Sequence, residues 1–122
     1  MTEPRFSHLF IHVSDLERAR RFYVDVLGFD VLIQTPGYLR IGDRAGFFLG
    51  LEEGTTAIDD GIEIVIEVDD VDHRYEELSA RGVAFDGPPQ DQEWGARHAW
   101  LRDPDGRRLS LYSAPVGGSA SG

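Results

Sequence analysis

The sequence predicts an α+β fold in which one βαβββ unit occurs twice. Three observations predict it. Residues 8–29, HLFIHVSDLERARRFYVDVLGF, place an apolar-alternating strand before an acidic turn and an amphipathic helix, and the plan recurs from residue 63 as EIVIEVDDVDHRYEELSARGV. Val13-Ser14-Asp15 precedes Val68-Asp69-Asp70 by 55 positions, and Gly28 and Gly82 close the two helices. Behind each helix lie short alternating segments punctuated by the turn signals Pro36-Gly37 and Asp103-Pro104-Asp105-Gly106.

Residues 6–13 alternate, with Leu9, Ile11 and Val13 on one face and His8, Phe10 and His12 on the other. Ser14 or Asp15 caps the next helix, which carries Leu16, Ala19, Phe22, Tyr23, Val26 and Leu27 at helical spacing. Short strands follow at 29–34, 38–42 and 46–52. The second unit repeats this with a strand at 62–68 and a helix at 71–81. A short strand at 83–86 precedes the loop Gly87-Pro88-Pro89, and strands 96–102 and 107–113 form a hairpin. The chain is thus read as one domain, 1–122, with module one at about 5–52, module two at about 62–114, a polar connection at 53–61 and a flexible tail at 117–122.

Composition bounds the function. A net charge of −10 argues against nucleic acid, whose phosphates require a basic footprint. No run approaches the length of a membrane span, and MTEPRFSH lacks the regions of a signal peptide, so a cytoplasmic location without membrane contact is expected. Zero cysteines exclude disulfides, thiolate catalysis and cysteine-ligated zinc.

One face of each main strand is aliphatic and suits a covering helix. The other carries His8, Phe10, His12, Phe48, Glu52, Glu63, Glu67, His98, Trp100, Ser110 and Tyr112. A sheet whose second face is aromatic and polar in this way is expected to curve around a ligand cavity.

Several motifs in order carry a family resemblance. They are His8 ahead of Asp15-Leu16, the Phe22-Tyr23-x-x-x-Leu27-Gly28-Phe29 block, Val68-Asp69-Asp70-Val71, and Trp94-Gly95-x-Arg97 leading to Arg102-Asp103-Pro104-Asp105-Gly106. Together they resemble the vicinal oxygen chelate superfamily of glyoxalase I, extradiol dioxygenases and the fosfomycin-, bleomycin- and mitomycin-resistance proteins. The resemblance implies two βαβββ modules forming a curved, cup-shaped mixed sheet with helices on the outer face, and a homodimer.

It also implies where a metal would sit. The matching strand positions hold His8, Gly50, Glu63 and Ser110, of which only His8 and Glu63 are ordinary ligands, with His98 as a stand-in third. One reading is therefore a lyase or dioxygenase using a divalent ion (Mn, Fe, Ni or Zn) at His8 and Glu63. The other makes these two residues a hydrogen-bonded pair and expects no cofactor and no catalytic residue. On it, Phe10, Phe48, Trp94, His98, Trp100 and Tyr112 offer flat surfaces, with His12 and Ser110 beside them. Glu52, Glu63 and Glu67 attract a cation. This resembles the drug-sequestering branch and predicts a small-molecule binding protein for an aromatic, cationic compound.

Overall fold

The computed structural model describes residues 7–43, 45–55, 62–92 and 95–114. The chain divides into two compact units, Met1–Ala57 and Ile58–Gly122. Among the described residues no helix is long and apolar enough to cross a membrane.

The first unit runs β1 (His8–Val13), α1 (Leu16–Arg20, continuing as a π-helical segment Arg21–Val26), β2 (Asp30–Thr35), β3 (Tyr38–Gly42) and β4 (Phe48–Glu53). Its sheet has the order β1-β4-β3-β2, with β1 parallel to β4 and the other pairs antiparallel. Asp15 is the helix cap, its carboxylate accepting from the Arg18 amide at 3.1 Å. The expected regular helix widens after one turn, where the Leu27 amide reaches back to the Phe22 carbonyl at 2.9 Å. Two adjacent aromatics occupy this wider turn, and Phe22 meets Tyr23 edge to face at 5.1 Å. Gly28, with φ of 93°, ends it as expected. The helix packs on β3 and β4, and Val13, Ala19, Tyr23, Leu39, Ile41, Leu49 and Leu51 are buried on its side of the sheet. Each large apolar side chain buried there contributes about 1.5–3 kcal/mol.

The second unit repeats the plan as β5 (Ile64–Glu67), α2 (Val71–Ala80), β6 (Gln90–Asp91), β7 (Arg97–Arg102) and β8 (Arg108–Ser113), in the sheet order β5-β8-β7-β6. Asp70 caps α2 through the His73 amide at 3.1 Å, and Gly82 closes it with φ of 92°. Val71, Leu78, Ala99, Leu101, Leu109 and Leu111 form the core. Arg97 ties α2 to the sheet: its guanidinium donates two bonds to Asp72, at 2.9 and 3.0 Å, and a third to Asp91 on β6 at 3.1 Å.

One expected strand is corrected. Residues 83–86 make only the single bridge Phe85↔Leu101, and pairing resumes at Gln90↔His98. Pro88 and Pro89 have no amide hydrogen to give the ladder, so it breaks around them. The resulting architecture is α+β, with two four-stranded mixed sheets, each open and each with one helix.

The β7–β8 turn is fixed by a buried acid. Asp103 accepts from the amides of Asp105 and Arg107, at 3.0 and 2.8 Å, and pairs with the Arg107 guanidinium at 2.6 Å. The Asp103 side chain is 1% exposed and that of Arg107 12%, so removing the acid strands a largely covered cation. Asp103→Ala is expected to lower stability by about 3 kcal/mol in urea unfolding. Asp86→Ala, which removes an exposed ion pair with Arg102, should cost less than about 1 kcal/mol.

Candidate functional site

Strand alternation points every second side chain of each sheet away from its helix. In the first unit the register fixes three cross-strand rows on that face: His8–Phe48–Gly42, Phe10–Gly50–Arg40 and His12–Glu52–Tyr38. The His8 ring stacks on Phe48 at 4.4 Å and 12°, and its Nδ1 shares a hydrogen bond with the Ser7 hydroxyl at 2.8 Å. From the strand on the other side, the Arg40 guanidinium lies over the same Phe48 ring, 4.5 Å from its centroid. Arg40 Nε donates to the Tyr38 hydroxyl at 3.1 Å. Phe10 lies near-parallel to Tyr38 at 6.4 Å and meets His12 edge-on at 5.2 Å. His12 Nε2 stands 3.4 Å from the Glu52 carboxylate.

The second unit builds the corresponding face from Glu63, Val65 and Glu67, Arg108, Ser110 and Tyr112, and His98 and Trp100. His98 lies between two rings, 5.2 Å from Trp100 at 24° and 5.2 Å from Tyr112 at 16°. One Glu63 oxygen accepts from the Trp100 indole N–H at 3.1 Å and stands 3.2 Å from Arg108 Nε. The Arg108 guanidinium in turn lies 5.4 Å from the Trp100 centroid. Burial, and next the negative charge of Glu67, pushes the Tyr112 phenol up, and Glu67 also accepts its hydrogen bond.

Of the sequence-predicted residues, Phe10, His12, Phe48 and Glu52 gather on the first face. Glu67, His98, Trp100, Ser110 and Tyr112 gather on the second. Ser110 is fully covered there, and its hydroxyl has no hydrogen-bond partner among the described residues. Trp94 and residues 56–61 of the connection lie outside the described residues. Sequence reasoning missed Tyr38, Arg40 and Arg108. The signal was present: Gly50 matches Ser110 at an offset of 60, and the same offset maps Tyr38 on His98, Arg40 on Trp100 and Phe48 on Arg108. Each unit therefore has an arginine–aromatic pair on the same two strand positions, with the partners exchanged.

The donor set does not fit a catalytic metal. Gly50 has no donor atom, Ser110 offers a covered neutral hydroxyl, and one of the two Glu63 oxygens is engaged by an indole and a guanidinium. Among the described residues no three His, Cys, Asp or Glu side chains stand close enough together to hold an ion.

Comparison with known proteins places these faces in context. The model for the Glyoxalase/Bleomycin resistance protein/Dioxygenase superfamily matches residues 5–111. The antibiotic-binding protein TnmS3 from Streptomyces sp. CB03234 has a similar structure, with a TM-score of 0.80 and 34% identity, over 93% of this chain and 98% of that one. A Vibrio cholerae chain described as a "probable lactoylglutathione lyase" is 28% identical over 91% of both chains. A catechol-2,3-dioxygenase of Bacillus subtilis is 46% identical over 39 residues, which cover 32% of this chain and 14% of that one.

Burial holds the His98 imidazole below its ordinary pKa of 6.5, and the nearby Glu63 charge only partly opposes this. The unfolded chain then binds the proton more readily than the folded one. Stability is unaffected well above pH 6.5 and falls as the pH drops from there through the folded value. An NMR titration should place the His98 midpoint below 6.5, and His98→Phe should flatten the acid limb of stability against pH.

Proposed function

The chain belongs to the Glyoxalase/Bleomycin resistance protein/Dioxygenase superfamily, and within it we propose a binding protein that sequesters a flat aromatic small molecule without a metal and without turnover. The observation that carries this reading is the near-parallel array of half-buried Trp100, buried His98 and half-buried Tyr112 on the sheet face that α2 does not cover, beside a hydrogen-bonded and ion-paired Glu63. Rings already fixed by one another lose little freedom when a further ring is laid on them. The first unit supports the reading with Phe10, 45% exposed, set against Tyr38. The likeness to an antibiotic-binding protein at 34% identity supports it independently.

A cationic group on the ligand is part of the proposal, and Glu52 and Glu67 are the carboxylates exposed on these faces to attract it. Glu63 contributes little attraction, because Arg108 already balances its charge. We infer further that the protein works as a cytoplasmic homodimer and confers resistance by holding its compound.

A thermal-shift panel of flat aromatic amines tests this. A compound that binds should raise the melting temperature in proportion to the logarithm of its concentration, unchanged by a chelator. Trp100→Ala should weaken its binding by about 1 kcal/mol, roughly fivefold, the value of one lost aromatic contact. Stabilisation that needs added divalent metal and vanishes with His8→Ala would replace this reading with the metal-dependent one.

A further inference from the structure

Arg40 stands apart from the other cations described on the two sheets. Arg97, Arg102 and Arg108 each lie within 4 Å of a carboxylate, at 2.9, 3.7 and 3.2 Å. Arg40 has no carboxylate partner among the described residues, although the chain carries 22 Asp and Glu against 12 Lys and Arg. Its contacts are the Phe48 and Tyr38 rings and, through Nε, the Tyr38 hydroxyl. Both terminal nitrogens are left without a hydrogen-bond partner among the described residues. They form the end of a rigid planar fork that matches the two oxygens of a carboxylate.

The surroundings of this fork are apolar. Ile33 pairs with Arg40 across the β2–β3 ladder and is 41% exposed. The ladder slips at Leu32, whose side chain lies against Gly42, next to Phe48: a Cβ built on Gly42 would meet Leu32 at 2.8 Å and Phe48 at 3.2 Å. Leu32 itself is 48% exposed. A half-buried guanidinium backed by Phe48, Tyr38, Ile33 and Leu32 is less hydrated than one in open water, which strengthens a charge-assisted bond to it.

We propose that Arg40 is the recognition site for an acidic group, a carboxylate or its equivalent, on the aromatic compound that the protein binds. The inference rests on the aromatic-binding reading and adds the acid to the ligand's description. The fork takes the anion end-on, while the rings and aliphatic side chains beside it take the adjoining apolar body. The net charge of −10 sharpens the case, because the general field repels an anion. A preference for one must come from a local cation.

The test uses the full chain and two probes of equal shape, 2-naphthoate and 2-naphthamide, titrated by calorimetry. Wild type is expected to bind the anion about tenfold or more tightly than the amide, with a preference that shrinks as salt is added. Arg40→Gln should remove that preference, weakening the anion far more than the amide, while Arg40→Lys should keep part of it. Circular dichroism and the unfolding midpoint establish that the variants fold. If Arg40→Gln does not fold, the wild-type preference and its salt dependence decide. Equal affinity of wild type for the two probes overturns the acid site and leaves the aromatic reading in place. A preference that survives Arg40→Gln and is lost in Arg108→Gln also overturns it. Failure of both probes to bind at millimolar concentration overturns the acid site, and the aromatic amines then decide the aromatic reading by themselves.

Discussion

One helix can cover only one face of a four-stranded sheet, and everything functional in this chain follows from that constraint. The strand period of two sorts each β-segment into an aliphatic side, buried under α1 or α2, and a second side that the helix never reaches. Burial on the first side supplies the stability. The second side carries polar groups that ordinary solvation would accept, together with an excess of rings that it does not require. Those rings are held in register by the same ladders that align the core, so the geometry of the face is as fixed as the fold itself.

The two faces solve one problem with different residues. In the first unit an arginine on β3 lies over a phenylalanine on β4; in the second a tryptophan on β7 lies beside an arginine on β8. Their outer-strand neighbours differ in kind. His8 adds a ring to Phe48, whereas Glu63 neutralises Arg108 and ties down the Trp100 indole. The arginine of the second face is thereby neutralised, and the first face keeps a cation over its rings. A repeated unit with divergent polar positions thus carries a different chemistry on each of its two faces.

Much of this was legible in the sequence because it rests on local rules. Asp15 and Asp70 cap helices, Gly28 and Gly82 stop them, and Asp103-Pro104-Asp105-Gly106 turns a hairpin, each through chemistry confined to a few neighbouring residues. Alternation also assigned the correct face to Phe48, Trp100 and Tyr112. What escaped depends on partners far away in the chain. The π-helical widening is invisible to a 3.6-residue period, since Phe22 and Tyr23 satisfy either coil. The segment 83–86 has strand composition, and only the prolines after it and its one bridge to Leu101 show how little it pairs. The contacts of one Glu63 oxygen with Trp100 and Arg108 join residues 37 and 45 positions apart and have no local signal. Arg40 reads as surface until the β3–β4 register lays it on Phe48.

Gly50 shows most directly how the first unit has committed its strand position. The resemblance makes this a place for a metal ligand, yet the fold uses it as space. A Cβ there would stand 2.9 Å from the Tyr38 hydroxyl and 3.4 Å from Phe10. Any larger side chain would have to push apart the two rings that face each other across β4. The glycine therefore does two things with one missing atom: it removes a donor, and it lets rings from β1 and β3 close over the strand between them. Restoring a carboxylate at that point would disturb the aromatic packing and the Tyr38 hydroxyl that accepts from Arg40. On this face a side chain at position 50 and the Phe10–Tyr38 ring contact compete for the same volume.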